Sequence, residues 1–208
     1  MPAMRIDLEL NFSEYDQDVD GYVAGVLRPA IATGVTAAAN LVKEELIEAA
    51  GRDFDRPNAF TLRGFKVLPA SATSKDPVAL VSIMPLQAEY LGMQIDGGVR
   101  RAGDPGTTAS GPLVPGPDAK LDRHGNLPRG YIKRQLADPD VFWTSLGVSD
   151  KPALVRRDGD ELNILALIVD QAEYGKRFDF YGIVQAGAEQ HLAAEVGNAL
   201  SAATRSAD

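Results

Sequence analysis

The chain begins with alternating apolar and polar residues. In Met4–Phe12, the side chains of Ile6, Leu8 and Leu10 fall on one face, and the residues between them are polar. A period of two is typical of a strand with one buried face. The pattern therefore predicts a half-buried strand, followed by the acidic stretch Ser13–Asp20.

From Val19 onward the apolar residues recur three or four positions apart, as on the buried stripe of an amphipathic helix. We expect a helix at about Val19–Ala50, with the acidic residues before it capping its free amides and facing the positive end of its dipole. Pro29 and Gly34 predict a kink or a division of this helix. Gly51 is the predicted C-cap.

The middle of the chain predicts shorter elements. Phe54–Asn58 is expected to be a turn, and Phe60–Leu68 a strand or extended arm. Pro77–Met84 predicts a firmer strand. Gln87–Asp96 is then expected to form a short helix that Gly97–Gly98 ends.

A change of composition follows at Ala102–Asp118. This segment consists almost entirely of Gly, Pro, Ser, Thr, Ala and Asp, with only Leu113 and Val114 to bury. It predicts a long loop, and loops of this length are usually functional or disordered. We favour a binding arm that orders on assembly over a linker between two domains.

The last part of the chain predicts a meander and a helix. Pro128–Leu136 is expected to form a short helix with proline at its start, and Arg157–Asp160 a hairpin turn. Helical spacing of apolar residues predicts a final helix at Phe180–Ala203. Three antiparallel strands are predicted between them, at Val141–Val148, Ala153–Arg157 and Glu161–Val169.

This order of elements predicts an α+β fold, in which a long N-terminal helix and a C-terminal helix pack on a small antiparallel β-sheet. The chain has 208 residues, and 45% of them are hydrophobic. That length suits one domain over residues 1–208, with residues 102–118 as its long Gly/Pro-rich loop.

Charge and composition exclude several classes. The net charge is −8, and basic residues occur in pairs rather than runs, which argues against tight nucleic-acid binding. The chain lacks cysteine, so it has no disulfide and no cysteine-ligated zinc. No apolar run approaches the roughly 20 residues of a membrane helix, and the first residues do not resemble a signal peptide. We expect a protein made in the cytoplasm, with no membrane partner.

Candidate sites for chemistry are weak. Asp16, Asp18 and Asp20 with Gly21 match the opening of a calcium loop, but the twelfth position is Leu27 instead of the glutamate that an EF-hand requires. Acidic capping of the first helix is the favoured interpretation, with a looser calcium site as the alternative.

Histidines and nucleophile motifs offer no stronger candidate. His124 and His191 lack the spacing of a metal site, and the nucleophile-elbow and phosphate-loop motifs are missing. The carboxylates near Asp138 and Asp158 are predicted to be solvated hairpin tips. We therefore predict a protein that is not an enzyme, with no catalytic, cofactor-binding or metal-binding residues.

Four stretches, taken in order, resemble one family. They are FDRPNAFTLRGFKVLPA (Phe54–Ala70), YLGMQIDGGVRR (Tyr90–Arg101), AKLDRHGNLPRGYIKRQL (Ala119–Leu136) and KRFDFYGIV (Lys176–Val184). Together they resemble the minor tail protein Z family of tailed bacteriophages, the lambda-like tail-completion proteins. The resemblance covers roughly residues 19–200. It departs from the family between the third and fourth stretches, where related sequences carry a longer basic segment.

The residues of these stretches predict structural roles. Pro57 drives Arg56 out of the helical region, so the chain turns there, and Phe60 and Leu62 are expected to dock on the sheet. For the aromatic residues, core packing is favoured over subunit contact. The candidate structural or interface residues are Phe54, Arg56, Pro57, Phe60, Leu62, Tyr90, Arg100, Arg101, Phe178, Phe180 and Tyr181.

The resemblance implies a structural virion protein at the head-proximal end of the tail. It would form a homo-oligomeric ring, typically six-fold, between the tail terminator and the head connector or stopper. Genomic DNA would pass through the lumen without specific binding, and an acidic lumen would repel its phosphates. Two alternatives stay open: the tail terminator or another neck protein, and a small cytoplasmic enzyme.

Overall fold

The computed structural model describes residues 13–147 and 151–207. The predicted strand Met4–Phe12 and the end of Val141–Val148 lie outside these residues. The chain divides into two compact units. The first contains the described residues up to Glu45, together with Val67–Ser82 and the chain from Gly182 onward, and the second contains Leu46–Lys66 and Ile83–Tyr181.

The first unit is built mainly from two long helices. The N-terminal one begins as α1 (Ser13–Tyr22), passes through a π-helical segment (Val23–Leu27) and continues as α2 (Arg28–Asp53). The second long helix is α6 (Phe180–Ala207). These helices and the small antiparallel sheets confirm the predicted α+β fold class.

The change from π- to α-helix falls at Arg28, next to Pro29, whereas α2 runs through Gly34 without the predicted division. Pro29 cannot donate a hydrogen bond, and its ring would crowd the carbonyl of Gly25. The π-helical segment accommodates this: the amide of Arg28 bonds the carbonyl of Val23, five residues back. Gly51 also lies within α2 and is not a C-cap.

Gly34 has a different role, which is a close approach between helices. A Cβ atom at Gly34 would lie 2.5 Å from the Cα of Val196 in α6, so only glycine lets the two backbones come this near. Farther along the pair, Nε2 of His191 lies 2.7 Å from Oε1 of Glu45. These contacts define an antiparallel packing of α2 against α6.

The predicted strand Phe60–Leu68 is only half correct. Residues Ala59–Leu62 form a single helical turn, α3, and the strand β1 is limited to Phe65–Leu68. The turn forms because the side chain of Asn58 accepts a hydrogen bond from the amide of Thr61, which satisfies a free helix donor. The predicted strand at Pro77–Met84 is present as β2 (Leu80–Ile83), which pairs with β1.

The second unit contains the predicted helix at Gln87–Asp96, observed as α4 (Pro85–Ile95). Gly97 ends it with φ of 72°. Two further strands were not predicted from the sequence. The strand β3 (Gly98–Arg101) directly follows this turn, and β8 (Gln171–Tyr174) lies in the chain before α6. They pair antiparallel, with Val99 opposite Glu173.

The meander is confirmed as part of a four-stranded antiparallel sheet in the order β4-β7-β6-β5. Its hairpin has Asp158 paired with Glu161, which places the turn where it was predicted. One face is covered by the short helix α5 (Tyr131–Gln135), whose Tyr131 is buried in the core with residues of the sheet. The strands are β4 (Leu113–Pro115), β5 (Val141–Ser145), β6 (Pro152–Asp158) and β7 (Glu161–Ile168).

The segment Ala102–Asp118 is more ordered than predicted. It includes β4, whose pairing with β7 continues in the hydrogen bonds from the amides of Gly116 and Asp118 to the carbonyls of Leu165 and Ile164. Gly116 lies so close to the carbonyl of Ile164 that no side chain would fit. The segment lies wholly within the second unit, so it is not a linker between the two units.

One described helix is long and apolar enough to cross a membrane by length and composition alone. It spans Asp16–Asp53, with a mean hydropathy of 1.2 in its most apolar 18-residue window, of which 22% is buried. Its alanines and valines raise the mean hydropathy without forming an uninterrupted apolar run of about 20 residues. Core helices of soluble proteins meet the same criterion, so the expected absence of a membrane partner stays a prediction.

Candidate functional site

The four stretches that carry the family resemblance meet in the second unit, at a place we call the motif junction. Its centre is Phe178, which is 2% exposed. The ring of Phe178 lies 5.2 Å from that of Phe54 and 5.8 Å from that of Phe65. Tilted rings at this separation gain more than burial alone. The prediction of core packing therefore holds for Phe54 and Phe178.

The second stretch joins the fourth through backbone hydrogen bonds. The carbonyl of Gln94, in α4, accepts from the amides of Arg177 at 2.8 Å and Phe178 at 3.1 Å. These bonds satisfy a carbonyl in the last turn of α4, where no helical partner is left. They also fix the chain that carries Phe178 into the core.

The first stretch joins the second through α3. The hydroxyls of Thr61 and Tyr90 are 3.0 Å apart, and the side-chain amide of Gln87 donates to the carbonyl of Phe60 at 3.0 Å. Gln87 is 4% exposed, so loss of this bond would leave its buried side-chain amide without this acceptor. Tyr90 thus contacts α3 through its hydroxyl.

Arg56 joins the first stretch to the third. Its φ is 48°, which confirms that it leaves the right-handed helical region before Pro57. Its guanidinium donates to both carboxylate oxygens of Asp55, at 3.1 and 2.9 Å. This hydrogen bond and the positive charge lower the pKa of the fully exposed Asp55 and raise that of Arg56.

His124 makes the contact from the third stretch. Its Nε2 lies 3.0 Å from Nε of Arg123, which can only donate. The proton of the neutral ring is therefore on Nδ1, which donates to the carbonyl of Arg56 at 2.8 Å. His124 is thus a partly exposed turn residue whose ring contacts the backbone of Arg56.

The carboxylate of Asp122 holds the turn that presents His124. It accepts from the amides of His124 at 2.9 Å and Asn126 at 3.0 Å. The hydrogen bond from the amide of Asn126, aided by that from His124, lowers the pKa of Asp122 and outweighs the opposing effect of burial. A charged carboxylate is the stronger acceptor, so this turn is firmest when Asp122 is ionised.

Arg100 and Arg101 have separate environments. Arg100 lies over the ring of Tyr174, 5.4 Å from its centroid, and donates to the carbonyl of Glu89 at 2.8 Å. Its buried Nε has no hydrogen-bond partner among the described residues. Arg101 is exposed, and its amide donates to Asp104 at 2.7 Å. The structure thus assigns a packing role to Arg100 alone.

Several predicted core residues lie at the surface. Phe60 is 47% exposed and Tyr181 is 66% exposed, and the Tyr181 ring meets that of Phe180 edge-on at 5.4 Å. Phe60 and Leu62 do not dock on the sheet as strand residues, since both belong to α3. Next to Phe178, an open cleft of about 460 Å³ is lined by charged groups that include Asp53, Asp96 and Lys176.

The acidic N-terminal residues form no loop. Asp16, Asp18 and Asp20 lie within α1 and are exposed. The prediction that they precede and cap the helix is therefore wrong. Helical geometry turns successive aspartates away from one another. Within the described part of the chain, no group of three or more His, Asp or Glu side chains could hold a metal ion.

The sequence did not predict the roles of three residues of the motif junction, namely Asn58, Gln87 and Asp122. Asn58 carried a usable signal, because asparagine three residues before Thr61 is typical of a helix N-cap. Gln87 carried none, since its burial depends on α3, which was predicted as a strand.

Comparisons with known proteins add no relative. No family model matches the chain, and searches of curated proteins and of solved structures found no significant match.

Proposed function

We propose that this chain is a structural virion protein of a tailed bacteriophage, a tail-completion or minor tail protein. It forms a ring at the head-proximal end of the tail, joins the tail terminator to the head connector or stopper, and lets DNA pass through. The proposal rests on the resemblance of four stretches to the minor tail protein Z family.

The observation that carries the proposal is the convergence of these stretches. Contacts at Phe178, Gln94, Thr61 and Arg56 bring residues of all four together in one unit. Chance similarities scattered along a chain have no reason to meet in space. The motifs of one family do have such a reason when together they encode one packing unit.

The charge of the chain supports the conduit role. A net charge of −8 would repel the phosphates of passing DNA if the acidic residues face the lumen. A ring reconstruction with a basic lumen and its acidic residues facing outward would contradict this part of the proposal.

Disruption of the gene in the phage that encodes it tests the main proposal. We expect lysates with DNA-filled heads and separate tails in negative-stain electron micrographs, and recovery of infectious particles when the protein is supplied from a plasmid. Particles with intact head–tail junctions would overturn the proposal. A defect in capsid or tail-tube length would instead point to another morphogenetic role.

A further inference from the structure

The first ten described residues form the helix α1, which is exposed over most of its length. All residues of α1 from Asp16 to Tyr22 are exposed, including Val19 at 41% and Tyr22 at 42%. The groove between the two long helices includes Gly25 and Ser206. Residue 207 is thus near Gly25, and α1 extends beyond the end of its partner helix α6.

This exposed helix is both acidic and partly apolar. Val19 and Tyr22 are three positions apart, so they share a face. Asp16, Asp18 and Asp20 are exposed, and the helix carries no basic residue. The helix is continuous with α2 through the π-helical segment, and its exposed apolar side chains would be stabilised by burial against a partner.

The second unit presents a surface of complementary chemistry, which we call the α5 groove. It is a cavity of about 720 Å³ beside α5, with an apolar floor formed by Leu113, Leu127, Ile132 and Leu136. Leu136 is 42% exposed. No acidic residue lines the cavity.

The rim of the α5 groove is basic. Arg129 and Lys133 line it and are exposed. In a chain of net charge −8, a basic rim around an apolar floor is a local reversal of sign. Complementary charge steers and orients such contacts.

We propose that α1 of one copy docks in the α5 groove of a second copy. Val19 and Tyr22 cover the apolar floor, and Asp16 and Asp18, which flank this face on its two sides, meet Arg129 and Lys133. The two surfaces differ, so the contact is head-to-tail and repeats around a ring if the rotation closes. This inference deepens the proposed function, because it names the surfaces through which the ring assembles.

Charge reversal on the full-length protein tests the contact. Sedimentation velocity over a range of concentrations would compare D16K/D18K with the matched control D158K/D160K, which changes the exposed β6–β7 hairpin instead. We expect self-association to weaken about tenfold or more in the first variant and to be unchanged in the control. Equal behaviour of the two variants would overturn the proposal, as would a wild-type protein that stays monomeric throughout.

A second variant with the complementary charge reversal distinguishes loss of the contact from loss of folding. The variant R129E/K133E should also fail to self-associate, but its equimolar mixture with D16K/D18K should associate, because each reversed surface then meets its opposite. Circular dichroism spectra like those of the wild type would show that both variants fold. A mixture that stays monomeric would contradict the pairing.

A photo-crosslinking amino acid in place of Tyr22 locates the contact. The expected product joins two copies, with the crosslink in the peptide that contains residues 127–137. Crosslinks elsewhere would overturn the proposal. If R129E/K133E loses binding to duplex DNA and the wild type shows no self-association, nucleic acid is the occupant of the groove instead.

The two proposals fail separately. A crosslink at the α5 groove together with intact head–tail junctions after gene disruption would leave the self-association standing without the phage role. Separated heads and tails without the crosslink would mean that the ring uses other surfaces.

Discussion

The ring of Phe178 packs against the ring of Phe54 at 5.2 Å, which connects the end of α2 to the segment that leads into α6. Phe178 also contacts Phe65 and is 2% exposed. This one side chain therefore joins the first and fourth of the family-like stretches. Its removal tests whether the motif junction stabilises the unit.

Phe178→Ala is expected to destabilise the second unit by about 3–5 kcal/mol, because it removes a buried aromatic ring and leaves a cavity. The measurement is the denaturant midpoint followed by circular dichroism. Tyr181→Ala is the control, since that ring is 66% exposed and its loss should change stability by about 0.5 kcal/mol or less. A smaller effect at Phe178 than at Tyr181 would contradict the assigned core.

Gly34→Ala is expected to lower the thermal midpoint although alanine favours helix by about 1 kcal/mol. The new Cβ would lie 2.5 Å from the Cα of Val196, and separating the helices should cost about 1–3 kcal/mol. Gly51→Ala lies in the same helix with nothing within 4 Å and should raise the midpoint. If both variants are stabilised, the close approach of α2 and α6 is wrong.

Gly116→Ala is expected to free β4 from β7, because the methyl group would overlap the carbonyl of Ile164. In the wild type the amides of Gly116 and Asp118, which donate to β7, should exchange slowly with deuterium. The variant should exchange both at nearly the rate of an open loop, while Gly103→Ala changes neither. Fast exchange of these amides in the wild type would restore the prediction of an arm that orders only on assembly.

The turn at Asp122 is expected to weaken in acid. Its folded pKa lies below the ordinary value of 3.8, so its stabilising contribution is complete above that value and is lost as the pH falls through the folded pKa. NMR titration should show the amide signals of His124 and Asn126 moving together, with a midpoint below 3.8. In Asp122→Asn this shared transition should vanish. A midpoint above 3.8 would contradict the hydrogen-bonded turn.

Local pattern alone determined much of the secondary structure. The stripe of the first helix, the meander and the turn at Arg157–Asp160 were predictable because period and turn chemistry depend on neighbouring residues. The same is true of the turn before Pro57, where the proline ring restricts Arg56.

Tertiary structure decided what local pattern could not. Gly34 predicts a kink by itself, but the backbone of α6 beside it makes glycine a packing residue. Residues 113–115 have the composition of a loop, but they form a strand because β7 supplies their hydrogen-bond partners. The strands β3 and β8 likewise form because each pairs with the other. The order of the four stretches was visible in the sequence. Their contacts through Phe178, Gln94 and Arg56 were not, because long-range packing is set by groups that are distant along the chain.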